Sequence, residues 1–167
     1  MELPDAEQLL TALTAQLKPH VGPETALVGI RTGGAWLAER LHQSLGVAMP
    51  LGTLDISFYR DDFSQIGLHP EVEPSHIPFD VDSRHIILVD DVLYTGRTVR
   101  AAMNELFDYG RPASISLAVL VDRGGRELPV AAQFVGAQIP LSDSQNVQLN
   151  QTGSGRLYLS LHGIATE

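Results

Sequence analysis

Two adjacent carboxylates and a short loop rich in threonine lie near the middle of the chain. Asp90 and Asp91 follow an apolar run, residues 86–89, and the loop begins at Thr95. Carboxylates accept hydrogen bonds from sugar hydroxyls and also bind a hard cation such as Mg²⁺. Threonine hydroxyls donate to phosphate oxygens, and a glycine lets the backbone come close to a ligand. These residue types predict a site for a phosphorylated sugar, with the phosphate held by Thr95, Gly96, Arg97 and Thr98.

The elements around these residues form a strand, a loop and a helix. The unbroken apolar run 86–89 is typical of a strand that is buried on both faces of a parallel sheet. After the loop, apolar residues recur at helical spacing from Val99 to Phe107. The start of a helix presents free backbone N–H groups and the positive end of the helix dipole, which favours phosphate binding. The alternative is that the aspartates only cap this helix.

Two further strands end in polar residues. The predicted strand 26–30 runs into Arg31 and a glycine pair that opens a helix, and the predicted strand 113–121 ends at Asp122. Ligands bind at the carboxyl ends of the strands in an open α/β sheet. The strand ends at Arg31, Asp90 and Asp122 are therefore expected to converge on one crevice.

The remaining pattern predicts an amphipathic helix over residues 5–18, with Asp5 as its N-cap. Short strands are expected at residues 50–59, 130–139, 147–149 and 156–162. Residues 59–82 contain one glycine and three prolines, and a loop of this length is either a lid over a site or a mobile arm without chemistry. We favour the lid.

The composition limits the class of protein. A chain of 167 residues is most simply one domain, residues 1–167. The chain has no cysteine, and its histidines lack the spacing of a zinc site. Neither a signal peptide nor an apolar run of membrane-spanning length is present, which predicts a cytoplasmic protein without a membrane partner. Eleven basic residues against twenty acidic ones, a net charge of −9, argue against a general nucleic-acid binder.

The order of residues in the central motif points to a known family. Val89-Asp90-Asp91-Val92-Leu93-Tyr94-Thr95-Gly96-Arg97-Thr98 resembles the phosphoribosyl pyrophosphate (PRPP) loop of type I phosphoribosyltransferases. The later strings Gly110-Arg111-Pro112, Leu120-Val121-Asp122-Arg123-Gly124 and Arg126-Glu127-Leu128-Pro129 resemble the PyrR family, uracil phosphoribosyltransferases that also regulate pyrimidine genes. The resemblance covers residues 26 to 149. It implies an α/β fold with a central parallel sheet flanked by helices, a flexible loop over about 59–82, and a small hood formed by about 130–150 and the N-terminal segment.

The resemblance also implies a reaction, in which uracil and PRPP give UMP and pyrophosphate with Mg²⁺ as cofactor. Asp90 and Asp91 would hold the ribose hydroxyls, directly or through the metal. Arg60 would reach over from the lid. Backbone groups around Val135 and Ile139 would read the uracil. The pyrophosphate would be held by Arg31, Thr32 and Gly33.

The pyrophosphate loop of the resembled family is associated with a peptide bond that is cis without a proline, so a cis bond is expected here. In this chain Gly34 stands where we expect a second basic residue of the family pattern. Fewer charged contacts to pyrophosphate would follow, which predicts a weak activity.

A second function remains open beside the enzyme. It is a nucleotide-sensing regulator with little turnover, which acts through RNA or a protein partner. In the resembled family, regulation works through messenger RNA bound on a basic dimer face, and a homodimer or higher homo-oligomer is therefore expected. RNA binding conflicts with the net charge, because the first helix carries only Lys18 and residues 128–154 carry no basic side chain.

Overall fold

The computed structural model describes residues 1–56 and 75–163. Along the chain the elements are α1 (Ala6–Leu17), a 3-10 turn (Lys18–His20), β1 (Thr25–Ile30), α2 (Gly33–Leu45), β2 (Gly52–Leu54), β3 (His85–Leu93), α3 (Arg97–Tyr109), β4 (Ser114–Asp122), β5 (Phe134–Gln138), β6 (Gln145–Gln151) and β7 (Leu157–Gly163). None of the helices in these two ranges is long and apolar enough to span a membrane.

The central sheet has five strands in the order β2-β1-β3-β4-β5, and all of its pairs are parallel. The chain moves from β1 outward to β2 and then returns to the other side of β1 to form β3. The strand order thus reverses between β1 and β3. In open α/β sheets this reversal leaves a crevice at the carboxyl ends of the two strands, where ligands bind. The expected α/β fold with a parallel sheet and flanking helices is confirmed.

Side chains of the central strands alternate between two apolar layers, as the geometry of a strand requires. Leu27 and Ile87 belong to the layer that contains the apolar faces of α1 and α2. Val28 and Leu88 belong to the other layer, which contains the apolar face of α3. Because both layers are continuous, the two central strands are buried on both faces. Their sequences are therefore apolar throughout instead of alternating.

Strand β3 is longer than its apolar run predicts, and the expectation that the aspartates end the strand is wrong. β1 pairs with β3 only as far as Gly29 opposite Val89, whereas β4 pairs with it as far as Asp122 opposite Leu93. Backbone hydrogen bonds to β4 hold the last four residues in the strand regardless of side-chain polarity. The edge that faces β1 has no strand partner over those residues, which leaves room for polar groups.

The N-terminal helix follows its predicted boundaries closely. Asp5 is the N-cap of α1, and its Oδ1 accepts a hydrogen bond from the Glu7 N–H at 2.9 Å. The buried face of the helix consists of Ala6, Leu10, Leu13 and Leu17. This face closes the apolar layer on the α2 side of the sheet.

Strands β6 and β7 form a separate antiparallel hairpin, with Gln145 opposite Gly163 and Gln151 opposite Leu157. The hairpin contributes Val147, Leu149 and Leu157 to the apolar layer that also contains α1. Most of β6 falls within residues 130–150, the range of the expected hood, and β7 lies beyond it. The predicted strand over 130–139 is confirmed only for Phe134–Gln138, because residues 130–133 have no strand pairing.

The predicted strand over 50–59 is confined to Gly52–Leu54 within the part of it that the structure describes. Of the predicted lid, residues 75–82 are described. There His76 pairs with Thr53 in an isolated antiparallel bridge, and Val81 is buried in the α3 layer. The rest of the predicted lid lies outside the described residues.

The close packing of α2 on β3 allows no side chain at Gly34. An ideal Cβ there would lie 2.4 Å from the carbonyl oxygen of Val89. We expect Gly34→Ala to lower the free energy of unfolding by about 1–3 kcal/mol, because the clash is with backbone and only a shift of the helix relieves it. Urea denaturation measures the change. Gly153→Ala is the matched control, since no atom lies within 4 Å of a Cβ built at that glycine. Equal stability of the two variants would contradict the packing argument.

Candidate active site

The crevice between β1 and β3 brings together two of the predicted groups. The loop after β1 touches the carboxylate of Asp91, because an ideal Cβ on Gly33 would lie 2.3 Å from Asp91 Oδ2. Glycine at position 33 is what permits this approach. The peptide bond between Arg31 and Thr32 is cis, which confirms the expectation for this loop. The predicted pyrophosphate residues and the acidic pair therefore meet at one edge of the sheet.

The expectation that the basic residue of the family pattern would lie at position 34 is wrong. A side chain at position 34 would point into the backbone of β3, so no basic residue fits there in this fold. A side chain at position 33 would instead point toward Asp91. Position 33 is therefore the place in this loop where a charged side chain would reach the crevice.

The two aspartates point to opposite faces of the sheet, because consecutive strand residues alternate. Asp90 is buried, with 5% of its surface exposed, and lines a cavity on the α3 side. Asp91 is partly buried and approaches Gly33 at the start of α2. The Asp91 N–H donates to Asp90 Oδ1, and the Val92 N–H donates to Asp91 Oδ1, both at 2.8 Å. The N-cap of α3 is Gly96, so the alternative that an aspartate caps this helix is wrong.

The loop before α3 encloses a small cavity of about 110 Å³. Gly96 adopts a φ of +95°, which favours glycine, and Thr95 Oγ1 accepts a hydrogen bond from the Arg97 N–H at 3.2 Å. The N-terminus of α3 adds the positive end of its dipole. The cavity is lined by Asp90, Val92, Leu93, Tyr94, Thr95, Gly96, Thr98 and Val99. Its size, hydroxyls and helix end suit a phosphate group.

Arg97 is the one predicted phosphate residue that does not line this cavity. Its Nε donates to Glu127 Oε1 at 3.1 Å, and both side chains are more than half exposed. The side chain therefore points away from the cavity, toward the segment after β4. Its contribution to the site comes from its backbone at the first turn of α3.

Asp90 and Asp91 can supply only part of a metal site. Among the described residues, no group of three or more histidine, aspartate or glutamate side chains could hold an ion by itself. Mg²⁺ usually keeps several waters and binds through one or two carboxylates together with substrate phosphates. An acidic pair beside a phosphate cavity fits a cation that arrives with its phosphorylated substrate.

Two arginines that are not among the predicted site residues support the loop from outside. Arg123 is buried, and its guanidinium lies 3.8 Å above the ring of Tyr94. Its Nη1 and Nη2 donate to the carbonyl oxygens of Gln145 and Ser142 at 2.7 and 3.0 Å. Arg126 contacts the same loop. In the sequence the two arginines belong to strings that mark the family resemblance. An arginine pair directly after a strand of the site also indicates residues that support that site.

The predicted base-reading residues lie on β5 and just beyond it. The Val135 N–H donates to Oε1 of Gln16 on α1 at 3.3 Å, and Gln16 Nε2 donates to the Val135 carbonyl at 2.9 Å. The Ile139 N–H donates to the Asp122 carbonyl at 2.9 Å, which fixes the chain beside the end of β4. Reading of a base by Val135 therefore requires that Gln16 moves away. Arg60 lies outside the described residues.

The chain matches the family model described as phosphoribosyl transferase domain over residues 2–153. The fold is similar to a hypoxanthine phosphoribosyltransferase from Staphylococcus aureus, with a TM-score of 0.63 and 21% identity over 85% of this chain and 77% of that one. A hypoxanthine-guanine phosphoribosyltransferase from Bacillus anthracis gives a TM-score of 0.64 and 21% identity, over 84% and 86% of the two chains. At this identity the likeness shows the fold alone. Fold and site together define the chain as a phosphoribosyltransferase.

Closer relatives narrow the family. A protein named bifunctional protein PyrR from Pseudomonas fluorescens is 49% identical over 169 residues, which cover 99% of each chain. A bifunctional protein PyrR from Nitrosococcus oceani is 54% identical over 158 residues, covering 93% of this chain and 88% of the relative. The chain belongs to the PyrR family of phosphoribosyltransferases, as its motifs predict.

Gln16 and a uracil read by Val135 would compete for the same two backbone groups. We expect Gln16→Ala to lower the KM for uracil by up to about 30-fold, because each of the two hydrogen bonds is worth about 1 kcal/mol or less. Gln133→Ala is the matched control. Its side chain also bonds backbone, to Leu117 N–H and the Ala131 carbonyl, at the start of β5. Steady-state kinetics with both variants distinguishes the cases, and an unchanged KM in Gln16→Ala would remove Val135 from the base-reading residues.

Proposed function

We propose that this protein transfers the phosphoribosyl group of PRPP to uracil, forming UMP and pyrophosphate, and that it senses UMP in the same pocket to regulate pyrimidine biosynthesis genes. One observation carries the proposal. The crevice where the strand order reverses brings the loop at Gly33, the acidic pair and the phosphate cavity of Thr95 to one edge of the sheet. A phosphorylated ribose with a second phosphate group at C1 presents its groups in this order.

In this proposal the substrate lies across the two faces of β3. The 5′-phosphate would occupy the cavity beside Thr95 and Gly96, with Asp90 at its inner wall. The pyrophosphate would lie on the other side, near Gly33 and Asp91. The ribose hydroxyls would lie between them and donate to the carboxylates. Each aspartate would therefore contact a different half of the same substrate.

The reaction needs no nucleophile from the protein. Uracil N1 forms a bond to C1 of the ribose, the bond from C1 to the pyrophosphate oxygen breaks, and N1 loses its proton. Mg²⁺ bound with PRPP would neutralise charge on the departing pyrophosphate, with Asp91 as its protein ligand on that side of β3, while Asp90 would hold a ribose hydroxyl from the other side. The residues of the chain then contribute by holding the two substrates in line and by placing N–H groups where charge develops. The pyrophosphate loop, Arg31, Thr32 and Gly33, supplies part of this charge stabilisation.

The segment that carries Val135 and Ile139 would bind the base and determine which base is accepted. This segment and the β6–β7 hairpin would form the hood over the base, and Arg60 would reach in from the lid. In the proposal all of these parts belong to one domain, residues 1–167. A cytoplasmic homodimer or higher homo-oligomer completes it.

The similar proteins from Pseudomonas fluorescens and Nitrosococcus oceani are named bifunctional. A name with two functions favours an enzyme that also regulates over the alternative of a sensor with little turnover. Both functions would use one pocket, because UMP carries the same 5′-phosphate and ribose as PRPP.

The proposal is tested by measuring UMP formation from uracil and PRPP. We expect turnover in the wild type and at least a hundredfold loss in Asp91→Asn, because the amide loses the charge that faces Mg²⁺ and pyrophosphate. Asp108→Asn is the matched control, an exposed carboxylate on α3 that does not line the cavity. Wild-type turnover in Asp91→Asn at limiting Mg²⁺ would show that this carboxylate is structural. No turnover by the wild type at all would reject the catalytic half of the proposal.

The regulatory half raises the question of RNA, and six of the described arginines have their charge paired or buried. Each of five arginines lies within ion-pair distance of a carboxylate, namely Arg40, Arg84, Arg97, Arg126 and Arg156. The positive charge of Arg123 is buried. RNA affinity draws heavily on phosphate neutralisation, so these arginines contribute little to it.

We therefore expect RNA binding no tighter than the nonspecific range, about 10⁻⁴ to 10⁻⁶ M at physiological salt, with or without UMP. Fluorescence anisotropy with the leader transcript of the cognate pyrimidine operon measures it, and a scrambled RNA of equal length is the control. Nanomolar binding that depends on UMP and has a steep salt dependence would show that a local patch outweighs the net charge.

A further inference from the structure

The guanidinium of Arg126 joins three segments of the chain. Its Nη2 donates to Asp122 Oδ2 at 2.6 Å, its Nη1 to the carbonyl of Tyr94 at 2.8 Å, and its Nε to the carbonyl of Val130 at 2.9 Å. These acceptors belong to the end of β4, the residue that precedes the phosphate loop (residues 95–98) and the segment that leads into β5. Guanidinium is planar and presents its N–H groups in a fixed fork, so it sets the relative positions of all three.

The segment after Arg126 supports the phosphate loop directly. The N–H groups of Glu127 and Leu128 both donate to the carbonyl of Thr95, at 2.9 and 3.1 Å. On the same side, an ideal Cβ at Gly96 would lie 3.2 Å from Val130 Cβ. The outer side of the loop is thus packed against residues 127–130, while its inner side faces the cavity. Arg126 fixes the position of residues 127–130 through its hydrogen bond to the Val130 carbonyl.

Both carboxylate oxygens of Asp122, the partner of Arg126, accept hydrogen bonds from within the chain. Asp122 Oδ1 accepts the Gly124 N–H at 3.0 Å, and Oδ2 accepts from Arg126. Its side chain is 17% exposed and that of Arg126 is 25% exposed, so the ion pair is largely shielded from water. A charge-assisted pair of this kind is strong and directional. Asp122, expected as one of three converging strand ends, acts in the described structure as the anchor for Arg126.

Arg126 does not line the phosphate cavity, although Tyr94, Thr95 and Gly96 do. We propose that Arg126 is a positioning residue for the phosphate loop. Its contacts to Tyr94 and Val130 keep the Thr95 hydroxyl and the backbone at Gly96 directed at the 5′-phosphate. This inference rests on the proposed function, because it assigns that cavity to the phosphate of PRPP and UMP.

A lysine at position 126 cannot form the same set of hydrogen bonds. Lysine carries its three donors on one nitrogen, so Arg126→Lys keeps the charge near Asp122 but cannot reach two carbonyls and a carboxylate in separate directions. Arg126→Met removes the charge as well. If geometry is what matters, both variants lose phosphate affinity, and the lysine variant keeps more of the stability.

Arg84 offers a matched control. It is 23% exposed, pairs with Glu24, and donates through Nε to the carbonyl of Asp80 at 3.1 Å. It lies beside the first residue of β3, at the opposite end of the sheet from the cavity. Arg84→Met therefore removes a similarly buried, multiply bonded arginine without touching the site.

The experiment compares wild type, Arg126→Met, Arg126→Lys and Arg84→Met. Calorimetry measures UMP binding, and steady-state kinetics measures PRPP and uracil separately. In both Arg126 variants we expect kcat/KM for PRPP to fall about 10- to 100-fold and UMP affinity to fall at least tenfold, since small misplacements of a binding group cost this much. The KM for uracil should stay within about twofold, and Arg84→Met should match the wild type.

Unchanged PRPP and UMP parameters in the Arg126 variants would overturn the inference. An equal loss in Arg84→Met would also overturn it, because the effect would then be general. Should Arg126→Met fail to fold, Arg126→Lys decides alone. A wild type that binds UMP but makes none would reject the proposed catalysis, while the UMP affinities of the variants would still judge Arg126.

Discussion

The site depends on the point at which two parallel strands stop pairing. β1 and β3 separate after Gly29 and Val89, while β3 continues along β4 to Leu93. The resulting half-paired stretch holds Asp90 and Asp91 in extended geometry, and this geometry directs one carboxylate to each face of the sheet. A loop in place of this strand would impose no such division. The placement of the cavity beside Thr95 on one face and the loop at Gly33 on the other follows from this register.

Close backbone packing is the second constraint. Gly33 and Gly34 begin α2, and neither position has room for a Cβ without displacing β3 or its carboxylate. The helix can therefore lie directly on the strand that carries the acidic pair. Absence of a side chain at these two positions brings the loop after β1 close enough to share a ligand with Asp91. It also leaves the loop with less positive charge than a basic residue at position 33 would supply.

The arginines of this acidic protein serve mainly to connect segments of the chain. Arg123 joins Tyr94 to the turn before β6, and Arg126 joins Tyr94 to β4 and to the segment before β5. The loop before α3 is thus linked both to the β6–β7 hairpin and to the strand beside it. Planar guanidinium groups suit this task because they hold several acceptors at fixed angles. The same use keeps the charges of Arg123 and Arg126 largely away from solvent.

The main secondary-structure elements, the α/β class and the family of this protein could be predicted from its sequence alone. These predictions rest on residues that are close together along the chain. Examples are the apolar runs of β1, β3 and β4, the helical spacing after Thr95 and the N-cap at Asp5. The motif around Asp90 also identified the family. Four features were decided only by tertiary structure: the extension of β3 past Val89, the opposite directions of the aspartates, the side-chain direction of Arg97, and the bonding of Val135 by Gln16. Each of them depends on contacts between segments that are distant along the chain, and local hydrophobic pattern and residue spacing carry no information about such contacts.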